Sequence, residues 1–512
     1  MTGSPPGGRV LVAGAGPVGL TAALVLARGG VPVTVLEAGP GLSAESRAST
    51  FHPPTLEMLE DLGVLGPVLE QGLVAGTFQY RDRRTGPVAD LDLAVLAQDT
   101  RHPYRVQLEQ GKLTPLLLRA LSRLPGNEVR FGARVSAVRQ DAHAVDAVLS
   151  DGTTVCGSHL VAADGAHSAV RHSLGIGFEG MTYPERFLVV SVEDDLAAEL
   201  PGLAPIAYVM DPDEWLVLLR TPDHWRILLP TSGDTTDAAE LARLPDRLSA
   251  LRASAGGRAG PPWRVVQAGL YRVHQRVADT FRRGRVLLCG DAAHVNNPLG
   301  GMGMNSGIHD AVLMGTALRA VVTGRPGADE ALDRVAAVRR DCALTYVGAQ
   351  THRNWERLRV RDPARRSALA AELRATAADP ARARQMLLRS SMIASLRTAE
   401  TVGCAAPATP RQVDRAVAAA GRAAPDWART AVSDRAAALL SAAATLEAAA
   451  ETDAPLLARE SGKPLTDCRG EIAFSAAVLR WYADAAPGLL ADRLIDDAQG
   501  RLPRSGAATL VR

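Results

Sequence analysis

Gly290-Asp291-Ala292-Ala293-His294-Val295-Asn296-Asn297-Pro298-Leu299-Gly300-Gly301-Met302-Gly303-Met304-Asn305 is the stretch on which the fold turns. The apolar run Arg285-Val286-Leu287-Leu288-Cys289 before it reads as a buried strand, and an Ala/Leu-patterned helix from about Asn305 to Val322 follows. A strand ending in Gly-Asp sets a carboxylate at its terminus, where it can accept hydrogen bonds from ligand hydroxyls. The Pro-x-Gly-Gly-x-Gly loop has no Cβ at its glycines, so its backbone can come close to a flat ligand. The helix then aims unpaired N–H groups and a partial positive charge at that ligand. The arrangement is a seat for an anion.

A second glycine-centred turn lies near the start of the chain. Arg9 to Ala13 reads as a strand, Gly14-Ala15-Gly16-Pro17-Val18-Gly19 as a turn into a helix ending near Arg28, and Val31 to Leu36 as a strand leading to Glu37 and Ala38. A G-x-G-x-x-G between strand and helix, with an acid about 20 residues on, is a dinucleotide fingerprint. Gly14, Gly16 and Gly19 permit the tight turn and a close pyrophosphate, and Glu37 can accept hydrogen bonds from a ribose. The competing reading is a glycine turn in an ordinary α/β protein. Arg47, in the following Gly/Ser-rich loop, suits a pyrophosphate contact or is simply solvated.

Helices are expected over Pro54 to Leu62 and Gln107 to Leu124, with Gln110 near the start of the latter. Leu160-Val161-Ala162-Ala163 reads as a strand ending at Asp164-Gly165, with Ser168 and Arg171 close behind. Phe187 to Val192, Ala207 to Met210, Trp215 to Thr221 and Trp225 to Pro230 alternate like strands of an inserted antiparallel sheet, one face of which can wall a pocket. Residues 330–398 read as Arg/Ala-rich helices broken at Pro363 and Pro380, and Cys404 to Pro410 as a linker before an alanine-rich tail. The expected class is α/β: a Rossmann-like domain (1–76, 102–182 and 266–330), a substrate-binding sheet domain (77–101 and 183–265), helices over 331–403 and a helical appendage over 404–512.

Composition narrows the partners. The 57 basic and 55 acidic residues leave a net charge of +2, and aromatic residues make up 4%, so neither nucleic acid nor a charged membrane surface is indicated. Lys112 and Lys463 are the only lysines. Five widely scattered cysteines show no metal-like spacing; reduced thiols, a cytoplasmic location and no bound metal are expected. Neither a signal-peptide layout nor an apolar run of roughly 20 residues is present.

GAGPVGL, ADGAHSAVR and GDAAHVNNPLGGMGMN, in that order, make residues 8–400 resemble the class A FAD-dependent aromatic monooxygenases typified by p-hydroxybenzoate hydroxylase. The resemblance implies a non-covalent FAD. Gly14, Gly16, Pro17 and Gly19 would surround its pyrophosphate, and Glu37 with Ala38 would meet the adenosine ribose. Arg47 and Gln110 would be further contacts, with Gln107 the alternative to Gln110. Asp164 would serve both FAD and nicotinamide, and Asp291 the ribityl chain and pyrophosphate. Pro298, Gly300, Gly301, Gly303, Met304 and Asn305 would lie against the isoalloxazine. It also implies that NADPH or NADH reduces the flavin, that O2 adds at C4a, and that the hydroperoxide hydroxylates a small electron-rich ring. A homodimer is compatible with this reading.

A phenolate is a far better nucleophile than a phenol, so a group that favours the anion is sought on the inserted sheet. Tyr208, His224, Arg220 and Arg226 are candidates by location. Arg220 shares parity with Leu216 and Leu218 and could enter an apolar wall, or reach water at a strand end. His52 and His294 match places where such proteins carry packing or motif histidines, and neither is taken as the base. The alternatives are a reductase or halogenase on the same fold, though no W-x-W-x-I-P stretch occurs and Trp215 and Trp225 lie in other contexts, or a non-oxygenating flavoprotein whose tail recruits a partner.

Residues 411–484 resemble the amino-terminal part of NAD(P)-dependent aldehyde dehydrogenases. The supporting pieces are Val413-Asp414-Arg415-Ala416-Val417, Trp427, Arg435 with Leu439-Leu440, Glu460-Ser461-Gly462-Lys463-Pro464 and Arg480-Trp481-Tyr482-Ala483. The sequence reaches Arg512 before that family's cofactor fold, catalytic cysteine and general-base glutamate, and Cys468 is not at the nucleophile's place. No aldehyde dehydrogenase activity is expected. A truncated remnant is preferred to docked helices or an interaction element.

Overall fold

Four short apolar strands, Val10–Ala13, Val33–Leu36, His159–Ala162 and Val286–Leu288, are buried throughout and run parallel. Unbroken Val/Leu/Ala runs of this kind suit strands covered on both faces. Glu128–Arg130 extends the layer in parallel at one edge and Arg282–Arg283 closes the other antiparallel. This computed structural model describes residues 8–43, 48–254, 261–397, 410–461 and 465–489; Arg47, Cys404 and Gly462-Lys463-Pro464 lie outside them.

Two helices cover the nucleotide end of this layer. Pro17–Arg28 begins with a proline at its first turn, where a missing N–H costs nothing. Gly303–Val322 starts two residues before the expected Asn305 and packs along it. No side chain caps the first turn of Gly303–Val322, so its leading N–H groups stay available to a ligand.

The inserted sheet has eight strands, in the order His294–Val295, Val265–Ala278, Phe178–Val192, Trp225–Ser232, Leu216–Arg220, Ile206–Met210, Thr77–Asp82, Gly86–Asp92. It is antiparallel as expected, with one exception: Ile206–Met210 runs parallel to Thr77–Asp82. Leu188, Val190, Leu216, Leu218, Trp225 and Ile227 pack against the helix Asp237–Ser254. The alternate residues Phe187, Tyr208, Val217 and Leu228 pack with Leu299, Leu358 and Leu387. Phe178–Val192 and Val265–Ala278 extend across the expected seams at 182/183 and 265/266, paired along most of their length, with register shifts between Thr182 and Arg186 and between Ser191 and Val192. Met1–Ala399 accordingly forms one compact unit.

A small third sheet orders Thr50–Phe51, Arg105–Gln107 and Leu73–Ala75. In the helical region the breaks fall at Pro363 and Pro380 as expected, each proline beginning a new helix behind an aspartate (Asp362, Asp379) whose side chain caps the first turn.

Glu400–Arg512 is a separate unit. Within it, Val432–Ser461 and Leu465–Leu489 pack through Ala454, Cys468 and Ile472 and are joined by Arg469–Glu451 and Arg480–Glu447 pairs. Trp427, Phe474, Trp481 and Tyr482 are exposed on this unit. No helix among the described residues is long and apolar enough to cross a membrane.

Candidate functional site

The first glycine turn divides its work. Gly14 has φ +99°, and a Cβ there would lie 2.4 Å from the Ala163 carbonyl oxygen; a Cβ at Gly19 would lie 2.0 Å from that of Gly14. These two let strand, turn and helix close on one another. A Cβ at Gly16 would meet nothing within 4 Å, so that side of the turn is a cradle a side chain would fill. Pro17 is buried beside it. Glu37 accepts the Ala15 N–H at 2.6 Å and the Gly39 N–H at 2.8 Å. It ties the turn to the end of the next strand beside half-buried Ala38.

Asp164 accepts the Val170 N–H at 3.2 Å through Oδ2, while its buried Oδ1 has no partner. Arg171, 2% exposed, donates to the carbonyls of Ala166 and Ala292, both at 2.9 Å, and so joins the middle motif to the late one. Asp291 stands exposed on the turn Gly290–Ala292. Behind it, Asp310 accepts from His294 and Arg339, each at 2.8 Å, and from the Gly290 N–H at 3.2 Å. Burial would push the Asp310 carboxyl up, but the Arg339 and His294 charges outweigh it and hold the group below its usual range.

Gly300 (φ +109°) and Gly301 (φ +65°) make the sharp turn after exposed Pro298. Gly301 sits so close to Thr50 that a Cβ would approach the Thr50 Cβ to 3.0 Å. Met304 is buried, and Gly303 opens the helix beside Asn296. Asn305 does not reach out of the protein: its Nδ2 donates to the carbonyls of Thr50 and Gly301, and its Oδ1 accepts the His52 N–H. It pins the loop that the resemblance sets against the isoalloxazine.

Gln107 and Gln110 differ in what they offer. Gln110 is the half-buried first residue of the helix Gln110–Ser122. Gln107 is fully buried; its Oε1 accepts from Thr50 at 3.0 Å and its Nε2 has no partner. An orphaned buried donor costs about 1–3 kcal/mol unless a ligand meets it, which favours Gln107 as the contact. Gln107, Asp164, the Gly16 cradle and the uncapped Gly303 helix together fit FAD.

A cleft of ≈ 290 Å³ opens beside the start of Gln110–Ser122, lined by Glu109, Lys112, Ser191, His224, Arg226 and Gln267 among others. Gln267, Ser191 and Arg226 are in register across three strands and share a face. Burial lowers the affinity of Arg226 for its proton, opposed by nearby Tyr271 and Glu109. Glu109, Asp223 and His224 bring ligand-type atoms within 4.8 Å of one another. The Lys112 ammonium is already 2.6 Å from Asp223 and 3.3 Å from Glu109, so a charge occupies the position a metal would need.

Of the four sheet candidates, His224 and Arg226 line this cleft. Arg220 lies on the other face, its guanidinium 5.9 Å from the Trp225 ring on the side packed by Asp237–Ser254. Tyr208 is buried, stacked on Tyr80 at 5.5 Å, and accepts a hydrogen bond from Arg105. Sequence reasoning missed Arg105 and passed over Arg171. The alternation Arg105-x-Gln107 was the available sign that the former shares a face with the buried Gln107 amide.

Residues 8–349 match the FAD binding domain family, and residues 389–504 match the aldehyde dehydrogenase family. Para-nitrophenol 4-monooxygenase of Pseudomonas sp. (strain WBC-3) is 36% identical over 385 residues, covering 74% of this chain and 94% of that protein. A 6-hydroxy-3-succinoylpyridine 3-monooxygenase of Pseudomonas putida is 34% identical, over 69% of this chain and 90% of that protein. The crystal structure of p-nitrophenol 4-monooxygenase from Pseudomonas putida superimposes with a TM-score of 0.70 at 33% identity, covering 76% of this chain and 98% of that one. Aklavinone-11 hydroxylase, solved with FAD and aklavinone, gives 0.58 at 30% identity, covering 67% and 69%.

Proposed function

The chain belongs to the FAD-binding family of aromatic monooxygenases, and from that premise we propose that it hydroxylates a small phenol with NAD(P)H and O2. A bound FAD would supply the chemistry for moving two electrons from NAD(P)H to O2, one oxygen atom going to the ring and the other to water. Gly16, Asp164, Asp291 and Gln107 hold that cofactor, and the uncapped start of Gly303–Val322 favours negative charge at the Gly300–Gly301 turn. The sheet face bearing Gln267, Ser191 and Arg226 orients the ring and keeps water from it. The single observation that carries the reading is the position of the cleft: it opens between that sheet face and the start of Gln110–Ser122.

The relatives that act on p-nitrophenol and pentachlorophenol make ring-substituted phenols the first substrates to try. NAD(P)H oxidation by the yellow protein is measured against a phenol panel, with mass spectrometry of the product. Stimulated oxidation with one oxygen atom of O2 incorporated per product, as a gain of one oxygen at a C–H position or with release of nitrite or chloride at a substituted one, supports the proposal. Oxidation at background with every phenol, or cofactor spent only on peroxide, rejects it for that panel.

A further inference from the structure

The tail helix Leu465–Leu489 is apolar on two opposite sides. Cys468, Ile472, Ala476 and Ala483 form its buried side, with Cys468 and Ile472 packed on Ala454 of Val432–Ser461. At about 100° per residue, the stripe Phe474, Ala477, Val478, Trp481 and Ala485 points the other way. Phe474 is 68% exposed and Trp481 60%, with Tyr482 (52%) edge-on to the Trp481 ring and Leu489 (63%) farther along. Among the described residues, every exposed tryptophan and tyrosine lies in this unit. A helix that is apolar on both sides belongs in the middle of a bundle, and Val432–Ser461 fills one side only.

The outward stripe limits what can cover it. It carries no charge, and the flanking Arg469 and Arg480 are held by Glu451 and Glu447 of the neighbouring helix. Such a face offers nothing to an anionic lipid headgroup, which basic side chains on an interfacial helix would attract. It is complementary to itself. Phe474 and Trp481 stand two turns apart, about 10.5 Å, and the smaller Ala477 and Val478 lie midway between them. A two-fold axis passing between Ala477 and Val478 sets Trp481 on the partner's Phe474 at both ends, with Ala477 against the partner's Val478 at the centre. The exposed acids Glu471 and Asp484 stay at the rim, in water. With half to two-thirds of their area free, Phe474, Trp481, Tyr482 and Leu489 present on the order of 500 Å² per copy. A pair then buries about 1,000 Å², the size at which a specific interface begins.

We propose that Leu465–Leu489 pairs antiparallel with the same helix of a second copy of this chain, which makes the tail a self-association element. The proposal is independent of the flavin chemistry, because the paired face contains none of the residues assigned to FAD or to the ring. Two helices from each copy build one four-helix core. An interface of this area associates with a dissociation constant on the order of micromolar. The tail, for which no aldehyde dehydrogenase activity is expected, thereby has a task of its own.

The full FAD-loaded chain is followed by sedimentation velocity from about 1 to 100 μM, a range that spans the expected dissociation constant. The wild type should shift to a species of doubled mass as concentration rises. In the double variant Phe474→Glu, Trp481→Glu the shift should vanish, or its midpoint should rise at least about tenfold. Both positions are exposed, so melting temperature and FAD content should match the wild type and show that the variant is folded. A second measurement leaves the aromatic residues in place. Ala477→Cys, beside the axis, should be joined to its copy by a short bifunctional maleimide, whereas Ser475→Cys, exposed but turned away from the stripe, should not. Identical sedimentation of wild type and double variant at every concentration overturns the proposal, as does equal cross-linking of the two cysteine variants. A wild type that floats with phosphatidylcholine–phosphatidylglycerol vesicles and does not self-associate assigns the face to lipid and overturns it too.

Discussion

Asn305, in the first turn of the late helix, donates to the carbonyl oxygen of Thr50 at 2.8 Å, joining segments 255 residues apart in sequence. The same amide holds the Gly301 carbonyl at 2.6 Å and the His52 N–H at 2.9 Å. Asn305→Ala strands three buried backbone groups, and each costs about 1–3 kcal/mol where water cannot reach it. The variant should melt several degrees lower and release FAD more readily. Asn305→Asp, which sets a buried carboxylate oxygen against the two carbonyls, should destabilise at least as much as Asn305→Ala. Differential scanning fluorimetry with and without added FAD measures both effects.

Gly16→Ala and Gly19→Ala should separate binding from folding. The new Cβ at Gly16 meets open space, whereas at Gly19 it meets the Gly14 carbonyl at 2.0 Å. Gly16→Ala should leave the apoprotein's melting temperature within about a degree of wild type yet weaken FAD binding by about tenfold or more. Gly19→Ala should destabilise the apoprotein itself by about 1–3 kcal/mol. Equal loss of apoprotein stability in both would contradict this division.

Acid should erode stability through buried neutral histidines before the carboxylates respond. Burial, then Arg339, lowers His309 to about 3, and burial, then Arg285, lowers His159 to about 4. Both folded values lie below the unfolded one, so their contribution is full above pH 6.5 and is lost as pH falls toward those values. Each group changes the unfolding free energy by up to about 1.4 kcal/mol per pH unit inside its window. Asp310, also depressed, adds its loss only below about pH 4. Urea denaturation at pH 7.5 and 5.0 should show the fall, and His309→Gln should reduce its slope by about one proton.

The Glu400–Arg512 unit should not affect the flavin chemistry. Removing it after Ala399 is expected to leave FAD content and phenol-stimulated oxidation within about twofold of the whole chain. The whole chain should reduce NAD+ or NADP+ with an aldehyde panel no faster than a blank. Aldehyde-dependent reduction above the blank would reverse the expectation drawn from Cys468 and its surroundings.

Legibility followed sequence distance. The glycine turn at Gly14–Gly19 and the strand endings at Glu37, Asp164 and Asp291 could be read directly, because spacing along one strand–turn–helix unit decides their geometry. Parity correctly ranked Arg220 with Leu216 and Leu218 but did not say which face looks at the cleft. That depends on where Asp237–Ser254 docks. Arg105 was invisible because its meaning comes from partners far away, Ser390 and Tyr208. Asn305 was read as a ligand contact, whereas its amide is used up inside the protein. A motif marks that a residue is needed and leaves open what it touches.

The two long strands Phe178–Val192 and Val265–Ala278 pass, paired, from the nucleotide layer into the sheet that walls the cleft. The ladder between them is interrupted where the register shifts, between Thr182 and Arg186. Bending along the paired runs would rupture main-chain hydrogen bonds, so flexing between cofactor seat and ring-binding wall concentrates at that interruption.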